Sequence, residues 1–293
     1  MKRTYGLLLF FLLIASYIFA QTIDDTWQPM DTALTQFLDE VNTALPDNAV
    51  IGGNWSDAYI GQILSVPPHF GLGIATGITR FPVKGLQSAM GLADTDLPID
   101  TAILPNFAVE GKIGGFILPF DIGIRFAMLP TIKYENVSFS YLNFGADIRY
   151  ALLKESLITP DVSIGAGYYF TTGTIGYTFT ANNLENLLTV TDTNIPLDIS
   201  FQTQVIEAKA EISKSLVIIT PYGGISGYTA LSHADYSIYN KSNSRTTSDD
   251  PLYGVRIFGG ASLNLAIVKF DLSGMYNFVT QNWGANIGIR VQI

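Results

Sequence analysis

Thirteen ionisable side chains stand on the polar face of segments that otherwise alternate polar and apolar residues: Glu110, Lys112, Asp121, Arg125, Asp147, Arg149, Glu207, Lys209, Glu211, Arg256, Lys269, Asp271 and Arg290. Six are acids and seven are bases. An open selective pore tends to carry one dominant sign, whereas a near-balanced set turned toward a shared interior pairs off into salt bridges. The expectation is therefore a closed or plugged interior, with a narrow channel lined by the same residues as the alternative. Other chemistry is sparse. His69 and His233 are the only histidines and there is no cysteine, so multi-histidine metal sites, thiolate chemistry and disulfides are excluded. Glycine-rich stretches such as GIGIR lack the strand-to-helix setting of a phosphate loop. No catalytic residue, metal or cofactor is assigned, and no nucleic-acid partner is expected of a chain with a net charge of −9.

The elements that must hold these residues are strands. From Trp283 to Ile293 the chain alternates to its last residue, with Trp283, Ala285, Ile287, Ile289, Val291 and Ile293 on one face and Gly284, Asn286, Gly288, Arg290 and Gln292 on the other. A membrane-spanning barrel strand needs about 9 to 11 residues, apolar toward lipid and polar toward the lumen. Similar alternation recurs near residues 69–80, 103–116, 120–128, 138–152, 160–179, 200–213, 217–231, 253–265 and 268–278, although the glycine-rich 217–231 has an ambiguous register. Beyond residue 20 no apolar run approaches the roughly 18 residues of a spanning helix. Short and long connections broadly alternate, as barrel turns and external loops do. The fold class is thus all-β: a transmembrane antiparallel up-and-down β-barrel over residues 69–293. About ten strands are expected, with 8 to 12 admissible because residues 55–64 and 174–180 also read as strand. A soluble secreted β-sandwich is the competing fold.

Residues 1–20 read as a signal peptide, with Lys2 and Arg3 ahead of an apolar core and cleavage after Ala20; an uncleaved anchor is the alternative. Residues 21–68 then carry Asp24, Asp25, Asp31, Asp39, Glu40, Asp47 and Asp57 with no Lys or Arg. Leu34, Phe37, Leu38, Val41 and Leu45 recur at helical spacing, which predicts a short amphipathic helix from Pro29 to Leu45, capped by Asp25 or Thr26 and stopped by Pro46. This segment is expected to plug the lumen or to cap the barrel on its periplasmic side. Gly71, Gly73 and Gly77 on the polar face of the first strand leave room for something, and the helix is the candidate occupant.

Taken together, the alternating segments and the closing strand resemble bacterial outer-membrane β-barrel proteins, and the acidic helical segment resembles that of barrels carrying hydrophobic solutes. The resemblance implies the outer membrane of a diderm bacterium, membrane lipid and the barrel-assembly machinery as partners, and binding or passage of a small, hydrophobic solute. It departs at Ile293, where the assembly signal of such barrels usually ends in an aromatic residue. A surface structural or adhesive barrel acting through external loops, above all Ser232 to Asp250, is the alternative function. Asp94 and Asp96, together with His233 and Asp235, loosely resemble the rim residues of omptin proteases, with the histidine and aspartate in reversed order. That resemblance implies peptide hydrolysis at the outer rim.

Overall fold

A computed structural model of the chain describes residues 27–65, 68–93, 98–180, 194–239, 241–247 and 250–293. The expected signal peptide, the capping candidates Asp25 and Thr26, and Asp94 and Asp96 lie outside the described residues. Ten strands form a closed antiparallel ring: β1 (Phe70–Pro82), β2 (Thr101–Gly114), β3 (Phe120–Tyr134), β4 (Val137–Leu153), β5 (Asp161–Thr180), β6 (Asn194–Ser213), β7 (Ile219–Ile238), β9 (Leu252–Leu265), β10 (Val268–Asn277) and β11 (Trp283–Gln292). The ring closes where β1 pairs with β11, Gly71 opposite Gln292 through Thr79 opposite Gly284. An eleventh strand, β8 (Lys241–Thr246), pairs with the last residues of β7 and lengthens the wall there.

Period-two alternation sorts the side chains between two media. Ile74, Ile124 and Leu272 are 59%, 61% and 62% exposed on the outer face, whereas Asp121 and Arg149 are 0% and 1% exposed inside. The outer face is therefore an apolar belt, and its upper edge carries Trp283 paired beside Tyr276, which packs edge-on against Phe278. Among the described residues no helix is long and apolar enough to cross a membrane, so any crossing falls to the strands. Ile287 lies mid-strand in the belt, between Thr76 and Leu272. Ile287→Arg is expected to lose about 2–4 kcal/mol in lipid, the cost of a charge near the midplane. Denaturant unfolding of the protein refolded into vesicles measures this, and unchanged stability would remove the lipid-facing assignment.

Several connections differ from the sequence expectation. The stretch after Met128 is not loop: β3 continues to Tyr134 and turns tightly through Glu135, at φ 51°, into β4. Likewise β7 continues to Ile238 and returns as β8, so much of the expected Ser232–Asp250 loop is hairpin. Between β1 and β2 lies a helix that the sequence reading did not anticipate, α2 (Lys84–Leu92). The register of β7 is also settled, with Ile219 and Ile225 outward and Tyr222 and Tyr228 inward. β5, β6 and β7 each run to 20 residues, about twice the length that a crossing requires, and rise above the belt.

What the raised wall encloses is the amino-terminal helix, α1, over residues 27–50. Leu34, Phe37, Leu38, Val41 and Leu45 are all buried, in one core with Phe179, Ile195, Leu197, Ile199 and Phe201 from β5 and β6 and Ala234, Tyr236 and Ile238 from β7. An exposed stripe of Gln28, Thr32, Gln36 and Asp39 runs along its first turns, and from Ala44 onward every residue is buried. The helix thus tips into the lumen. Pro46 does not stop it. A proline inside a helix forfeits one backbone bond and costs about 3 kcal/mol in isolation, and here burial of Leu45, Ala49 and Val50 on either side offsets that loss. α2 lies against α1 at Gly85, where a Cβ would sit 2.3 Å from the Phe37 nitrogen, and Glu40 accepts the Gly85 N–H at 3.1 Å.

Candidate functional site

The lumen is occupied from one end to the other. Below α1, residues 51–65 run toward the base, where both ends of the barrel wall meet and the Phe70 N–H donates to the Ile293 carbonyl. Inward glycines of β1 and β11 are seats of this segment. A Cβ on Gly71 would lie 2.7 Å from the Trp55 ring, and one on Gly284 would lie 2.4 Å from the Ile51 side chain. The occupant of the β1 glycine face is therefore the chain after the helix, not the helix itself. At the base Gly61 adopts φ 108° and passes so close to His69 that a Cβ would meet the imidazole at 2.3 Å. That places His69 as a packing wall for the segment.

All thirteen charged residues named from the sequence face inward, and the structure groups them around this segment. Lys112 bonds both oxygens of Asp147 at 2.8 Å, and Lys209 approaches the same carboxylate at 3.6 Å. Arg149 forks onto Asp121 at 2.9 and 3.0 Å, reaches Glu211 at 3.4 Å and donates to the Asp57 backbone carbonyl at 2.7 Å. Arg256 pairs with Glu207, and Arg290 with Asp271. Arg125 lies 3.9 Å from Glu110, which instead accepts the Trp55 indole N–H at 3.0 Å. The strand residues leave one base in excess. Asp57 supplies the missing acid, bonding Lys269 and Arg290 at 2.8 Å each. Burial alone raises the Asp57 carboxyl, but Lys269 and then Arg290 outweigh it and hold it below its ordinary value.

A layer of hydrogen bonds from uncharged donors lies above the ion pairs. Asp47, fully buried near the end of α1, accepts from Asn277 and Thr280 at 2.8 Å and from Tyr228 at 3.2 Å. Asn48 donates to Thr79 at 2.9 Å and to the Leu104 carbonyl at 3.1 Å. Asn106 and Asn143 reach back to the backbone carbonyls of Asn48 and Ala49. Sequence reasoning did not single out Asn48, Trp55, Asn106 or Asn277. Asp57 was foreshadowed only by the odd base and by an amino-terminal segment rich in acids. Two cavities beside residues 50–55 have volumes of about 20 and 10 Å³, room for single waters and not for a solute.

His233 and Asp235 lie within β7, not beyond it. Their side chains are 3.6 Å apart and about half exposed, on the outer side of the raised wall and opposite the buried Ser232 and Ala234. Among the described residues no cluster of His, Asp and Glu is arranged to hold a metal ion.

A family model spanning residues 62–293 matches this chain, from the foot of the lumenal segment through every barrel strand. The chain belongs to the family of unknown function DUF6588. No curated protein matches this member of DUF6588 by sequence. Its barrel is similar in structure to the outer membrane protease OmpT from Escherichia coli, at 11% identity and a TM-score of 0.47, covering 78% of this chain and 99% of that one. It is similar also to the translocator domain of the autotransporter NalP from Neisseria meningitidis, at 9% identity and a TM-score of 0.41, covering 77% and 88%. Ail, the attachment invasion locus protein of Yersinia pestis, gives 11% identity and a TM-score of 0.31, covering 77% and 98%. At these scores the likenesses carry no argument about function, and the barrel stands on its own strand pairing.

Proposed function

We propose that this protein is a bacterial outer-membrane β-barrel whose residues 27–65 plug a lumen that binds or passes small solutes, hydrophobic ones above all. The base, with both barrel termini, faces the periplasm, and the raised wall of β5 to β8 faces outward. One observation carries the reading. Below α1 the plug is joined to the wall by side-chain hydrogen bonds and ion pairs, such as Asp57 with Lys269, and not by a continuous apolar core. Polar contacts of this kind can exchange with water when the plug shifts, whereas a close-packed core would weld it in place. The raised wall, which a surface-binding role would use, is engaged in enclosing α1, so the adhesive alternative gains nothing from it.

Planar-bilayer recording tests the reading. The exported chain is expected to be nearly silent, and a variant lacking residues 27–65 to conduct. Heat-modifiable gel mobility checks that each preparation is a folded barrel. Silence from both, with no uptake of an apolar fluorescent probe into vesicles carrying either, would sink the proposal.

A further inference from the structure

The barrel wall has an unpaired seam. β2 and β3 share only six pairs, from Gly114 opposite Asp121 up to Val109 opposite Phe126. The ladders on either side continue to the top, β1–β2 to Pro82 opposite Thr101 and β3–β4 to Tyr134 opposite Val137. Residues 101–108 of β2 therefore pair with β1 alone, and residues 127–134 of β3 pair only with β4. The reason is written in two prolines. Gly114 donates its N–H toward His69 on the β1 side and Gly115 donates toward Phe120 on the β3 side, so odd-numbered positions of β2 turn their backbone groups to β3. Pro105 is one of these. Extending the register of Val109 and Phe126 by four residues along each strand sets Pro105 directly opposite Pro130. Neither has an N–H to give, and β3 shifts register against β4 between Leu129 and Ile132.

The seam lies in the upper half of the apolar belt, since Ile103 pairs with Arg80, the next rung above Thr79 and Gly284 and level with Trp283. Unpaired backbone edges at membrane depth are tolerated only where protein or a cavity satisfies them. On the outer side, a groove of about 1010 Å³ begins at the foot of the seam among Phe107, Val109, Phe126 and Met128. On the inner side, the small residues Ala108 and Ala127 pack with Tyr141 across the seam. Asn106 donates to the Tyr141 hydroxyl at 2.8 Å and accepts from Arg125 at 3.0 Å, while the buried Arg125 Nε makes no hydrogen bond and lies 3.9 Å from Glu110. The seam is apolar outside, hydrogen-bonding inside, and closed by side chains and the end of α1.

We propose that this seam is a lateral port for a single-chain amphiphile, its hydrocarbon tail entering between Phe107 and Met128 and its small polar head reaching Asn106, Tyr141 and Arg125. The port deepens the solute-binding reading given above and rests on it. The probe is hexadecanoic acid carrying a photoreactive diazirine beside its carboxyl group, added to the full chain in phosphatidylcholine vesicles. Cross-links are expected to concentrate at residues 105–109 and 126–130 and at Tyr141.

Because the chain has no cysteine, Phe107→Cys with Met128→Cys offers the next rung of the ladder for a short bis-thiol-reactive staple. Stapling is expected to cut labelling of Tyr141 at least tenfold relative to the same double variant left unstapled, with heat-modifiable mobility intact. Hydrogen exchange gives a second readout in the unaltered protein, with the Phe107 and Met128 amides exchanging far faster than those of Val109 and Ile124. Labelling spread evenly over the belt, undiminished Tyr141 labelling after stapling, or protected amides at Phe107 and Met128 would each overturn the port. Continued probe uptake in the stapled barrel would leave the solute reading standing without it, and no uptake by any form would remove both.

Discussion

Arg149→Met is expected to destabilise the barrel by about 3–5 kcal/mol, the cost of leaving buried partners of an ion pair uncompensated. Arg149 is 1% exposed and serves three groups at once: the Asp121 carboxylate, the Glu211 carboxylate and the backbone carbonyl of Asp57. Methionine fills similar volume, so the loss reports on charge and not on a cavity. An intact buried pair is often no better than a well-packed apolar one, because desolvation offsets the attraction. The double variant Asp121→Asn with Arg149→Met is therefore expected to recover part of the loss, giving a coupling of the two sites above about 1 kcal/mol in a double-mutant cycle. Urea unfolding in lipid vesicles measures all three. A single-variant loss below about 1 kcal/mol, the range of an exposed pair, would mean that water reaches Arg149.

The second large effect is expected at Asp57, and it is functional as well as energetic. Asp57→Ala leaves Lys269 without its carboxylate and Arg290 with Asp271 as its one remaining acid. The foot of the plug loses its ion pairs with β10 and β11 and keeps only the Ser56 bond to Arg290, so the variant is expected to show frequent openings in bilayer recordings where the unaltered chain is quiet. Acid acts in the same direction. The folded state holds the Asp57 carboxyl below its ordinary value of 3.8, so its stabilisation is complete above that value and is lost as pH falls through the depressed one. Openings in the unaltered protein should rise as pH drops below about 4, while Asp57→Asn, already unlocked at neutral pH, should show little further rise from this site. Identical acid profiles for the two would assign the lock to other residues.

Much of this architecture can be read directly from the residues. Alternation such as Phe120, Ile122, Ile124 and Phe126 against Asp121, Gly123 and Arg125 fixes both faces of a strand, because a slip by one residue would put charge into the apolar belt. Where glycine dilutes the pattern, as at Gly223, Gly224 and Gly227 in β7, register is settled only by pairing with β6 and β9. Tertiary burial overrode local rules at Pro46, where the proline signal for a helix end met a lumen that held the helix together. The place of the plug was not legible, since an acidic segment carries no mark of which bases it will meet. The seam was present in the sequence yet overlooked. Pro105 and Pro130 sit inside strands, where proline belongs at an edge or a bulge. What their positions alone cannot convey is that a shared register brings them face to face.

The plug is continuous in sequence with the first strand, and that order bears on how the barrel comes to be made. Ring closure joins β1 to β11, residues some two hundred positions apart, and is the most entropically demanding contact in the fold. Every strand that follows β1 can be laid around a segment already tethered at its foot, each adding its charges to partners that are waiting. Trp55 faces Glu110 on β2, Asp47 faces Tyr228 on β7 and Asn277 on β10, and Asp57 faces Lys269 on β10 and Arg290 on β11. By its place in the chain, the amino-terminal segment can serve as a mandrel on which the wall is wound, made before the strand that closes the ring.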